Sequence, residues 1–175
     1  MFLDSLYQLA QQKGFRFHPP ITCGGGDEAY KDFKSACNRH KDAMIFLLVD
    51  AEKTVLEGVG PWAHLKCDSL GLDDSHCHLM AQTMEAWLIA DKEALADFYQ
   101  KDFNRNALPQ NPRVEEIPKK DLFDGLRNAT AKTTKGRYHK TQHAPEILKR
   151  LNVAKVRKAA PHCDRLFQTL TEKMT

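Results

Sequence analysis

Long apolar runs are missing from this chain. None of its hydrophobic stretches approaches the roughly 18 residues that a membrane-crossing helix needs. The opening Met1-Phe-Leu-Asp-Ser-Leu lacks the basic flank of a secretory leader, and Asp4 interrupts its apolar stretch. Paired cysteines are missing too. Cys23, Cys37, Cys67, Cys77 and Cys163 are odd in number and never spaced Cys-x-x-Cys. That pattern predicts free thiols in a reducing cytoplasm and excludes a disulfide frame or zinc ribbon. His76-Cys77-His78 with Cys67 matches no closed four-ligand zinc site. Gly24-Gly25-Gly26 is not followed by Gly-Lys-Ser/Thr, so an ATP-binding P-loop is unsupported. There is no Gly-x-Ser-x-Gly elbow, no repeat and no low-complexity tract.

What remains is a 175-residue chain of ordinary globular composition, large enough to bury a core without staples. Phe2, Leu3, Leu6, Leu9 and Ala10 predict an amphipathic helix from Met1 to about Lys13, stopped by Gly14. Phe15–Cys23 reads as extended, with its prolines confining any strand to an edge or to a start after Pro20. A turn at Gly24–Asp27, with Asp27 as N-cap, leads into a helix to about His40. Six apolar residues, Met44–Val49, read as a strand buried on both faces. Further helices are predicted over His76–Ala90, Leu95–Phe103, Lys120–Ala131 and Ala144–Leu151, and from Val153 to Thr171 with a break at Pro161. The order predicts a small parallel α/β layer over residues 1–100, followed by a helical, basic extension over 101–175 packed on it.

Charge follows the same division. From Arg113 to Lys158 there are 13 Lys/Arg and five Asp/Glu. The overall net charge of +3 therefore combines a local excess of +8 with a remainder of −5. Such asymmetry suits an anionic partner held beside a cation site, although solvated basic faces are common.

The first charged residues after the apolar strand are Asp50 and Glu52. Ligands in open α/β sheets sit beyond the carboxyl ends of the strands. Two carboxylates there can share Mg²⁺ or Mn²⁺, which keeps several waters. The alternative is a turn-capping Asp50 and a solvated Glu52. On the expected helix His76–Ala90, the residues His78, Gln82 and Glu85 share one face, opposite Met80, Met84, Trp87 and Leu88. If that face meets the strand end, Glu85 becomes a third carboxylate and His78 a ligand or base. Downstream, Lys132, Lys135, Arg137, Tyr138, His139, Lys140 and His143 interleave cations with rings around Gly136. This fits phosphate or nucleic acid, and equally a flexible basic loop with no partner.

Several stretches together resemble a widespread bacterial domain-of-unknown-function family that is similar to TOPRIM proteins. They are Leu47-Leu-Val-Asp-Ala-Glu52, His78-Leu-Met-Ala-Gln-Thr-Met-Glu-Ala-Trp87, Ala107–Pro118, Tyr138-His-Lys-Thr-Gln-His-Ala-Pro145 and Ala160–Phe167. The resemblance implies a TOPRIM-like α/β fold, Mg²⁺-dependent nuclease-like activity, an AAA- or ABC-type ATPase partner and a place in anti-phage defence. It implies that Asp50 and Glu52 are the paired carboxylates of the metal site. Members of that family usually begin with a strand ending in Val-Glu-Gly, and this chain starts at the helix that follows it. The absent Glu implies weaker Mg²⁺ binding unless Glu85 compensates. The absent strand implies an open sheet edge and association with another chain, such as a homodimer.

The leading expectation is therefore a cytoplasmic, metal-dependent nuclease. Asp50, Glu52 and Glu85 would hold metal, Glu85, His78 and His139 would move protons, and the basic segment would steady phosphate. The contrasting expectation is a non-catalytic subunit that binds nucleic acid or an ATPase. A third is a small-nucleotide-binding module built on the basic loop.

Overall fold

The computed structural model describes residues 2–175, so Met1, the start of the expected first helix, lies outside the described residues. The described residues form a mixed α/β fold of nine α-helices and one two-stranded parallel sheet. Helix α1 (Asp4–Gln12) buries Leu6 and Ala10, and Gly14 leaves it with φ +78°. The segment before α2 forms no strand. Helix α2 (Gly26–Arg39) is entered from extended Gly25 rather than from Asp27. Asp27 and Glu28 instead sit in its first turn, where negative charge suits the helix dipole.

Strand β1 (Leu47–Asp50) pairs in parallel with β2 (Cys77–Met80), Leu47 opposite Cys77 and Asp50 opposite Met80. The crossover between them carries the short helix α3 (Pro61–Leu65). It starts at Pro61, whose missing N–H costs nothing at a first helical position. The expected helix His76–Ala90 is thus corrected. Its first part is β2, residues 81–84 turn, and only Glu85–Ala90 (α4) is helical. Pairing with β1 outweighs the weak helical spacing of a four-residue buried run.

The sheet separates two apolar cores. One face places Leu47, Val49, Cys77 and Leu79 against Phe33 of α2 and Trp62 of α3. On the other side, Phe46 and Met80 pack on a larger helical core. That core joins α1 to α4, α5 (Lys92–Tyr99), α6 (Lys119–Thr130), α7 (Lys140–Leu148), α8 (Val153–Ala159) and α9 (Pro161–Lys173). Helices α1, α4 and α5, all before residue 100, therefore share their core with the helices after it. Among the described residues no helix is long and apolar enough to cross a membrane.

Candidate functional site

Both strands end in left-handed backbone. Glu52, two residues beyond β1, has φ +64°, and Gln82, two beyond β2, has φ +59°. The Thr83 N–H donates to Ala81 O at 2.8 Å across Gln82, a tight three-residue turn of the strained positive-φ kind. Non-glycine residues held this way cost energy and cluster at functional sites. The side chain of Gln82 is buried and donates to Thr54 Oγ1 at 2.9 Å, tying the two strand exits together.

This turn aims residues 83–85 at Asp50. The Met84 N–H donates to Asp50 Oδ1 at 2.8 Å. The Thr83 hydroxyl lies 2.6 Å from Glu85 Oε2 and 3.2 Å from Asp50 Oδ2. The Tyr138 hydroxyl donates to Glu85 Oε1 at 2.7 Å. Lys140 Nζ donates to Asp50 Oδ2 at 2.7 Å and stands 3.7 Å from Glu85 Oε2. Glu85 is fully buried, and a buried carboxylate persists only with such partners. Two carboxylates face one ammonium, which leaves a formal excess of one negative charge.

Segment 130–140 delivers the two far members. Thr130 Oγ1 accepts the Tyr138 N–H at 2.7 Å, and the Thr133 hydroxyl spans Thr130 O and Gly136 O. Gly136 turns the chain with φ +76°. Burial drives the Tyr138 phenol well above its ordinary pKa, with the charge and hydrogen bond of Glu85 adding to it. It therefore stays a donor. For Lys140, burial pulls downward. The Asp50 hydrogen bond and the charges of Asp50, Glu85 and Glu52 outweigh it, so the ammonium is raised and stays protonated.

The residues expected at the site do not all meet. Asp50, Glu85, Tyr138 and Lys140 come together. Glu52 turns outward and pairs with Lys119. Among the described residues no three His, Cys, Asp or Glu side chains gather around one point. His78 lies two residues back from the strand end. Its Nε2 donates to Ser75 O at 3.0 Å and its Nδ1 accepts from Arg165 at 3.2 Å. Burial first, then the Arg165 charge, depresses its pKa to about 4. Both of its ring nitrogens are thus occupied.

His139 is exposed at the N-cap of α7, with Nδ1 3.1 Å from the Thr141 hydroxyl. His143 Nδ1 receives the His139 N–H at 3.2 Å and lies 2.9 Å from the Tyr99 hydroxyl. Lys135 Nζ stands 5.0 Å over the Phe98 ring, whereas Lys132 and Arg137 are exposed without a bond partner among the described residues. Sequence reasoning missed Thr83, although a hydroxyl residue two positions before Glu85 is the signal of a helix start. It also missed Lys119, because a lysine 67 residues from Glu52 gives no signal of the pairing.

No curated protein and no solved structure matches the chain. One family model does, over residues 3–171, and its description is "Domain of unknown function (DUF4276)". That span takes in nearly the whole chain, including the acidic cluster and the turn that builds it, so the chain belongs to the DUF4276 family.

Proposed function

We propose that the protein is a divalent-metal-dependent phosphodiesterase acting on nucleic acid, a nuclease of the TOPRIM-like kind. One observation carries this reading. Two carboxylates, Asp50 at the end of β1 and Glu85 at the start of α4, converge on a single position now taken by a cationic nitrogen. A place built for positive charge, in a chain whose later part carries a basic excess, suits both a metal and the phosphates it serves.

The donor set fits Mg²⁺ or Mn²⁺, which takes one or two carboxylates and fills the rest of its shell with water and phosphate oxygens. Asp50 and Glu85 would hold it, with Glu52 reaching in on leaving Lys119. A bound divalent ion supplies charge stabilisation of phosphoryl oxygens and a more acidic water. The protein's own residues do the rest. Thr83 and Tyr138 fix the Glu85 carboxylate. Lys140, freed from Asp50, turns its ammonium to the phosphate. His139, exposed beside it, offers the proton relay that buried His78 cannot. The test is cleavage of labelled single- and double-stranded DNA and RNA with Mg²⁺ or Mn²⁺. We expect chelation to abolish it and Asp50→Asn or Glu85→Gln to cut it about a hundredfold or more. Undiminished cleavage by Asp50→Asn overturns the reading.

A second reading rests on the same lysine. Lys140 already neutralises part of the acidic pair, as a purely structural network would. On that reading the chain is a non-catalytic subunit that binds nucleic acid or an AAA- or ABC-type ATPase. The exposed Leu48 on β1 and neighbouring Met44 would meet that partner or a second copy. It predicts no cleavage with any metal, and a stable complex in a pull-down.

A further inference from the structure

A second cleft, of about 270 Å³, is lined by Gly58 and Gly60 of the crossover, by Asp74 and Leu79, and by His162 and Arg165 of α9. No residue of the acidic cluster lines it. His162 Nδ1 donates to Glu115 Oε2 at 2.7 Å. The same carboxylate oxygen accepts the His162 backbone N–H at 3.1 Å, and its Oε1 accepts Trp87 Nε1–H at 3.4 Å. The Glu115 side chain is only 8 % exposed. A carboxylate placed this way holds a proton on Nδ1, so in the neutral ring the lone pair lies on Nε2. Nε2 has no partner among the described residues, so it is left as an acceptor at the cleft.

Arg165 brings the charge. Its NH1 donates to Cys77 O at 3.0 Å and to His78 Nδ1, and its NH2 donates to Asp74 O at 2.5 Å. These partners are all neutral, and Arg165 forms no ion pair among the described residues. A guanidinium fixed by neutral acceptors keeps its attraction for an anion. The facing wall offers glycine backbone. A Cβ at Gly60 would collide with the Asp74 carboxylate, which stands against it.

The cleft therefore asks for two things in one ligand: anionic oxygens for Arg165, and a hydroxyl whose proton Nε2 can accept. We infer that it is a second ligand site, for a phosphate-class oxyanion carrying an O–H, with His162 accepting the hydroxyl and Arg165 drawing the anionic oxygens. Inorganic phosphate at neutral pH has both features, whereas acetate has only the charge. Asp74 opposes the anion and limits its affinity.

The test is titration of inorganic phosphate into the full chain at constant ionic strength. It follows the ¹⁵N imidazole signals of His162, assigned by their loss in His162→Phe. We expect saturable movement of those signals, absent with acetate, and binding about tenfold tighter in Asp74→Asn. The Asp74→Asn arm stays decisive if His162→Phe does not fold. Asp50→Asn should respond as the parent does, which separates this site from the acidic cluster. Non-saturating movement, equal movement with acetate, unchanged affinity in Asp74→Asn, or movement confined to residues 132–143 overturns the inference.

Discussion

Tyr138 spends its hydroxyl on a carboxylate that water cannot reach. Removing the donor in Tyr138→Phe leaves one oxygen of Glu85 without its partner. A buried acceptor left unpaired costs about 1–3 kcal/mol, more when charged. Urea unfolding should show at least that loss, while a variant as stable as the parent would mean that Glu85 finds another donor. His78 gives a prediction in pH. Its folded pKa of about 4 lies below the ordinary 6.5. The unfolded chain therefore binds the extra proton first. The stability carried by neutral His78 is present in full above pH 6.5, and it is lost as pH falls from there towards 4. The shift corresponds to about 3 kcal/mol. Stability measured from pH 7 to 4 should fall less steeply in His78→Gln than in the parent. Equal slopes would assign the acid sensitivity to other groups.

Among the elements, α6 packs closely on the segment before it. An added Cβ at Gly125 would lie 2.5 Å from Pro109 Cδ, a ring with little freedom to move. Gly125→Ala should therefore destabilise the fold by about 1–3 kcal/mol despite its better helix propensity. A rise in melting temperature would refute that packing argument. Elements are legible in sequence where one signal dominates: β1 by its apolar run, α1 and α6 by period, the α8–α9 break by Pro161. Helix α3 is hidden because Gly58-Val-Gly60-Pro61 reads as loop, while Pro61 serves as a first helical residue. Strand β2 is hidden because Cys-His-Leu-Met has no β-branched residue, and its neighbour in the sheet lies 30 residues earlier. At the acidic cluster, Asp50 and Glu85 can be named from their setting. Lys140 reads in sequence as a phosphate ligand, because only the fold brings it to a residue 90 positions away.

At the scale of the whole molecule, in the proposed nuclease the basic excess between Arg113 and Lys158 serves to draw nucleic acid. Nucleic-acid affinity should fall with salt. Replacing Lys132 and Arg137 by alanine should flatten that log–log dependence by about 0.7–0.9 for each phosphate no longer neutralised. An unaltered slope would place the nucleic acid elsewhere. The acidic cluster itself draws on residues 50, 83–85 and 138–140, so it is complete only when three distant stretches have met. During synthesis, Asp50 and Glu85 emerge long before their lysine and tyrosine, and until then only Thr83 is at hand to stand between them. The cluster is thus unfinished until α7 docks, and a fragment ending ahead of residue 138 would lack both the ammonium and the phenol that complete it.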